Sequence, residues 1–269
     1  LLRKDNFLDS VDATAGGTFQ TSDGLTVIVL PASLQLSNGQ LATGKIYVET
    51  ILVKQKGDMV RLDKPTTSSG RILVSGGEVF IRIRKDNEEL HLTSGKTIYI
   101  KYTDSSPSSL MKLFYGDESD PQRFNWIQTT SNTSAAIAIT SQGYEIVTDR
   151  LRWINCDYFA DSSGSRVNVT ASLPADYTNA NTSVYLVFKD MKSVAGMYGD
   201  ATSKKFSSPK VPSGKAAIVV SITKRGTNSY YLGHETITTG QTSLNGTQVV
   251  PLKLQPTSIS DIKAYLDGL

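Results

Sequence analysis

The sequence predicts an all-β protein: two tandem antiparallel β-sandwich (Ig-like) domains with a short C-terminal helix. Three observations carry this expectation. Short apolar runs rich in β-branched residues recur along the chain, and such runs suit the pleated, half-buried surface of a strand. They are cut at intervals by Pro31, Asn38-Gly39, Thr43-Gly44, Lys56-Gly57 and Ser94-Gly95, where Gly supplies positive φ and Pro removes a donor. The chain has 269 residues, more than one core usually fills, which is roughly 250, so two domains are expected.

In chain order, residues 1–20 read as a lead-in, ending at Gly16-Gly17-Thr18-Phe19. The first domain is expected over 21–125. Leu25 to Leu30 is a continuous apolar run stopped by Pro31, the pattern of a strand buried on both sides. Ile46 and Val48 fall on one face and Lys45 and Glu49 on the other, so one face of that strand should meet solvent. Lys56-Gly57-Asp58 reads as a break. Val79, Ile81 and Ile83 alternate with Phe80, Arg82 and Arg84, the clearest half-buried strand in the chain. Ser105 to Ser109 resembles a linker, yet apolar character returns from Leu110 to Tyr115, so the boundary is expected after the polar loop 116–123.

The second domain, 126–269, has apolar runs from Ala135, Tyr144, Leu151, Val167, Val184, Ala216, Tyr230 and Val249. Its end is helical: Ser258 stands as a cap with Asp261 three residues on, Ile259, Ile262 and Leu266 share a face, and Gly268 follows. That helix should pack on the second sheet. Tyr-Gly-Asp occurs at 115–117 and again at 198–200, but the surroundings do not match, and it reads as coincidence.

Composition narrows the function classes. Hydrophobic residues at 39% against 20% charged describe a chain able to bury a core. A net charge of +3, spread over short groups such as Lys204-Lys205, leaves no nucleic-acid footprint. One cysteine, Cys156, excludes an internal disulfide, and with only His91 and His234 a Cys/His zinc site within one chain is excluded too. No cofactor or metal is expected. No apolar run approaches the roughly 18 residues of a membrane helix. The first residues, LLRKDNFLDS, are not a signal peptide, and a chain beginning with Leu suggests a processed form.

The phrases Gly24-Leu25-Thr26-Val27, Gly44-Lys45-Ile46-Tyr47-Val48, Gly57-Asp58-Met59, Pro65-Thr66-Thr67 and Leu73-Val74-Ser75-Gly76-Gly77-Glu78 occur in order. They are followed by Met111-Lys112-Leu113-Phe114-Tyr115-Gly116, Trp126 and Trp153-Ile154-Asn155-Cys156-Asp157-Tyr158-Phe159. This series resembles uncharacterised secreted or lipid-anchored β-sandwich proteins of Bacteroidetes. The resemblance implies an exported protein, periplasmic or anchored at the outer membrane or cell surface through a lipidated cysteine upstream. It carries no activity to inherit. More remotely, Gly16-Gly17 followed by Val27-Ile28-Val29-Leu30-Pro31 is similar to the β-sandwich domain of ankyrins and netrin receptors. Some relatives of that domain cut themselves at His-Phe-Ser, whereas here His91 precedes Leu92-Thr93.

Candidate sites are scattered. Covalent catalysis needs a nucleophile with a base in reach, and no Gly-x-Ser-x-Gly elbow is present. His91 reads as an exposed strand residue. His234 has an adjacent carboxylate, Glu235, but neighbours along a strand point to opposite faces. Cys156, among Trp153, Ile154, Tyr158 and Phe159, reads as a small buried hydrophobe. Asn155 and Asp157 suit a tight turn. Gly116 to Asp120 gathers three carboxylates without the spacing of a calcium loop, and reads as a solvated turn. Trp126, Trp153, Tyr230 and Tyr231 suit either a sugar-stacking platform or a core. No catalytic residue is assigned. The expectation is a non-catalytic surface binding or adhesion module with an unknown protein or glycan partner; a carbohydrate-binding protein and a hydrolase are the alternatives.

Overall fold

The computed structural model describes residues 6–121, 123–130, 134–160, 163–199 and 205–269. It is all-β, with two short helices, and none of the described helices is long and apolar enough to cross a membrane.

The first sheet runs, in spatial order, Phe7–Asp12, Lys45–Val53, Arg71–Lys85, Arg152–Phe159, Lys112–Asp117 and Asn125–Gln128, every pair antiparallel. The second runs Ala136–Thr140, Gly143–Thr148, Ile98–Thr103, Leu25–Val29 and Gly17–Gln20. Alternation aims Val79, Ile81, Ile83, Ile154 and Cys156 at Val27, Val29, Ile98, Ile100 and Ile146, and all are buried in one core. Thr26 and Ile28 remain partly exposed, so the Leu25 strand is fully buried on one face only, because among the described residues no further layer covers the outer side of the second sheet.

These pairings correct the expected boundary between 125 and 126. Strands from Asn125 to Phe159 complete the first two sheets, so that division runs through the first sandwich, which extends to Phe159. The decisive strand, Arg152–Phe159, inserts between Arg71–Lys85 and Lys112–Asp117, a long-range pairing that no turn residue announces. The linker-like serines lie inside this sandwich, where the Ser108 amide donates to Tyr144 Oη at 3.0 Å. The lead-in is itself paired, supplying two edge strands.

Beyond Phe159 a third sheet runs Val211–Pro212, Arg166–Ser172, Lys205–Ser207, Val194–Gly199, Thr182–Phe188, Ala216–Arg225, Ser229–Thr238 and Gln255–Thr257. Thr247–Pro251 joins Arg166–Ser172 in parallel, the one departure from antiparallel pairing among the described strands. The sheet folds over itself: Val167, Val169 and Ala171 near one end share a core with Val184, Leu186, Phe188, Ala217 and Val219.

A third core joins the halves. Ile51, Phe80, Phe114, Trp126 and Trp153 from the outer face of the first sheet meet Tyr185, Val187, Val194 and Val220 of the third. The face expected to meet solvent is therefore covered only in part: Lys45 and Tyr47 are exposed, whereas Phe80 is 8% exposed under the seam and Glu49 5%, the latter accepting from Arg82 Nε at 2.8 Å. Alternation reveals that two faces differ, and a second layer decides whether the other one is wet.

Two helices edge this seam, α1 (Lys56–Leu62) and α2 (Ile259–Asp267). The expected break at Lys56-Gly57-Asp58 is instead the start of α1. Gly57 serves close packing, since a Cβ there would lie 1.9 Å from the Leu266 carbonyl oxygen. In α2 the Ser258 Oγ accepts from the Asp261 amide at 3.1 Å, completing a capping box. Ile262 and Leu266 bury in the seam and so pack against α1 as well as the third sheet.

Candidate functional site

Where the seam reaches the surface, two adjoining pockets form a continuous cleft. One, of about 580 Å³, is lined by Asp63, Arg123, Asn179, Tyr185 and Tyr198 among others. The other, of about 480 Å³, is lined by Asp117, Asp120, Phe124, Asn125 and Ser207 among others. Arg123, Gly196 and Tyr198 belong to both. Each volume falls in the usual ligand range of about 300–1,000 Å³.

Arg123 and Tyr198 form the ridge between the pockets. The guanidinium carbon stands 4.9 Å from the Tyr198 ring centroid, within cation–π reach. Burial pushes the Tyr198 phenol up to about 12, with Asp63 adding to the rise and Arg123 opposing it. The phenol therefore keeps its proton at neutral pH and remains a donor. Asp63, in left-handed conformation at the end of α1, accepts from Tyr185 Oη at 2.8 Å. Burial, then Asp63, raises the Tyr185 phenol.

The polar rim is set by backbone contacts. Asn179 Oδ1 accepts from the Gly199 amide at 2.9 Å while its Nδ2 donates to the Gly199 carbonyl at 3.0 Å. A Cβ on Gly199 would lie 2.7 Å from Asn179 Oδ1. Asn125 Oδ1 accepts from the Ser69 amide at 2.7 Å. Asp117 Oδ1 accepts from the Ser119 amide at 3.0 Å, and hydrogen bonds from the Ser119 side chain and backbone hold that carboxyl below its ordinary range. The cleft thus offers an aromatic face, a cation and several carboxylates, a set suited to a ligand carrying many hydroxyls.

The sequence-derived candidates lie elsewhere, with one exception. His91 is exposed and pairs with Gln35. His234 is exposed, stacked at 4.7 Å on Tyr265 of α2. Cys156 is buried in the first core, and burial drives its thiol pKa up. Trp126 is fully buried and Trp153 nearly so, so neither serves a sugar platform; Trp126 Nε1 donates to the Pro65 carbonyl at 3.1 Å. Tyr231 is half-buried in an edge contact with Tyr177 at 6.4 Å, and Tyr230 is half-buried at the margin of the seam. Asn155 and Asp157 sit in mid-strand, fully buried, where a turn was expected.

The exception is the 116–120 loop, whose carboxylates diverge. Glu118 meets Lys64 at 3.2 Å and Arg152 at 3.6 Å, while Asp117 and Asp120 line the cleft. The two Tyr-Gly-Asp phrases also converge, since Asp117 and Tyr198 line one pocket; Asp200 lies outside the described residues. Arg123, Tyr185, Asn179 and Asp63 carry no motif, and their only common property is tertiary.

No family model and no curated protein matches the chain. Among solved structures it is similar to the gamma-CGTase of the alkalophilic Bacillus clarkii, at 10% identity and a TM-score of 0.23, over 89% of this chain and 41% of that one. The chain spans well under half of that protein, and a score this low carries no argument about fold or activity.

Proposed function

We propose that the protein is a non-catalytic binding module of the cell envelope whose ligand, a saccharide, seats in the cleft between its halves. One observation carries the reading: Arg123 lies against the Tyr198 ring on the ridge between two pockets walled by Asp63, Asp117 and Asp120. A pyranose ring presents an apolar face that stacks on an aromatic and hydroxyls that bridge carboxylates and a guanidinium. The envelope setting rests on the Bacteroidetes resemblance. Against hydrolysis stands the position of the acidic pair Glu78 and Asp157. Burial, then Asp157, pushes the Glu78 carboxyl well up, as a general acid would need. Both residues are 0% exposed, so a substrate does not reach them.

A glycan panel titrated by calorimetry tests this. Saturable binding of one glycan class is expected, weakened about tenfold by Tyr198→Ala or Arg123→Ala, the loss of one stacking or cation–π contact of about 1–2 kcal/mol. Equal, non-saturable binding across the panel, or affinity unchanged in both variants, would dispose of the reading.

A further inference from the structure

The outer face of the first sheet contains a polar cluster that neither the core nor the cleft explains. Cys156 pairs with Gly77 and Asp157 with Ser75, so Gly76 is an extra residue in the strand Arg71–Lys85, a β-bulge. Gly77 has φ +142° and its would-be Cβ lies 2.9 Å from Tyr102 Cε2, so only glycine fits. The bulge resets the alternation and turns Ser75 and Glu78 to the same side, facing Asn155 and Asp157. Ser75 Oγ donates to Asn155 Oδ1 at 3.2 Å, and Asn155 Nδ2 donates to Asp157 Oδ2 at 2.7 Å. Among the described residues, both oxygens of Glu78 and Oδ1 of Asp157 have no hydrogen-bond partner.

The second half seals this cluster. The Ser75 amide donates to the Lys192 carbonyl at 2.9 Å, and Ser193 Oγ donates to the Leu73 carbonyl at 2.6 Å. The turn 189–193, here called the lid, therefore closes the edge of the strand beside the cluster. The charged and titratable neighbours are Asp58 of α1, Lys64 just beyond it, Lys192 of the lid, and Tyr102 and Cys156 across the sheet. The charged ones are engaged elsewhere: Asp58 with Arg61 at 2.7 Å, Lys64 with Glu118, and Lys192 with Asp104 at 3.9 Å. Two carboxylates sealed beside each other without a dedicated cation are costly, whereas protonation removes the charge and gives the orphaned oxygens a donor to share.

We propose that Glu78 and Asp157 form a proton-dependent clasp, neutral while the two halves are closed and charged when the seam opens to water. Burial raises both carboxyls, and Asp157 raises Glu78 further. The folded chain then holds protons that the unfolded chain releases near the ordinary Glu value of 4.5. Stability from this source is complete at acid pH and declines as pH rises through the raised values. The lid turn joins Thr182–Phe188 to Val194–Gly199, the strands that carry Tyr185 and Tyr198, so alkaline loosening also reshapes the cleft.

The test uses the full chain. Infrared spectra at pH 7 are expected to show a protonated-carboxyl carbonyl band that weakens in Glu78→Gln and in Asp157→Asn. Between pH 5 and 9 the parent Tm is expected to fall about 5 °C or more, with a red shift of the Trp126 and Trp153 emission, while Glu78→Gln stays flatter. Trp126 and Trp153 are the only tryptophans and both lie in the seam. Absence of the band in the parent at pH 7 overturns the proposal, whether or not the variants fold. So does a Tm slope shared by the parent and a folded variant.

Discussion

The long strand Arg71–Lys85 separates two interiors of different character. On one side Val79, Ile81 and Ile83 enter a core of aliphatic and aromatic side chains. On the other, Phe80 enters the seam alongside Trp126 and Trp153, but Glu78 lies buried there with Asn155 and Asp157. The first interior is mainly apolar, and its buried Tyr102 and Cys156 are held neutral by burial, with Tyr102 Oη donating to the Gly77 carbonyl at 3.1 Å. The second adds sealed polar groups whose free energy depends on protonation. One strand can thus serve an interior indifferent to pH and another that responds to it.

Substitutions at matched depth sharpen this contrast. The largest effect is expected from Trp126→Ala, which removes the most voluminous fully buried side chain of the seam together with its hydrogen bond to the Pro65 carbonyl, left with the Thr67 amide at 2.9 Å. The loss should be about 3–5 kcal/mol by urea denaturation followed by circular dichroism. A loss under about 1 kcal/mol would mean that the halves fold independently and the seam adds little. Next comes the proton clasp, where Glu78→Gln should gain stability at alkaline pH and leave the acid value little changed.

Smaller effects test the other side. Ile81→Val in the first core should cost about 1 kcal/mol, and by the same amount at pH 5 and pH 8; a pH-dependent cost would erase the distinction between the two interiors. Ser258→Ala removes the α2 cap at the seam margin and should cost about 1 kcal/mol or slightly less, read as a lowered Tm. Arg123→Ala should alter ligand affinity and leave Tm within about 1 °C, since a solvent-facing cation–π pair adds little to stability.

Much of the first interior was legible in the residues. The alternation from Val79 to Arg84 gives the inward set correctly, and Cys156 reads correctly as a buried thiol because its neighbours are apolar. The misreadings share a cause. Gly57 reads as a break because Gly beside Asp usually marks a turn, yet here it admits Leu266 from the far end of the chain. Asn155 and Asp157 read as turn formers for the same reason. Trp126 and Trp153 suit a platform or a core equally well until the third sheet covers them. The cleft left only the divergent acidic loop as a trace, because Arg123 and Tyr198 are 75 positions apart in sequence (198 − 123) and share no motif.

By itself the sequence determined the strand-forming character of the chain, the inward face of the long strand and the capped C-terminal helix. Each follows from covalent geometry over a few neighbouring residues. Only the tertiary structure decided which strands complete the first sandwich, which outward faces are covered, and that Glu78 and Asp157 share a sealed seam beside an open cleft. Those depend on contacts between distant segments, whose free energy is set by what finally packs against what.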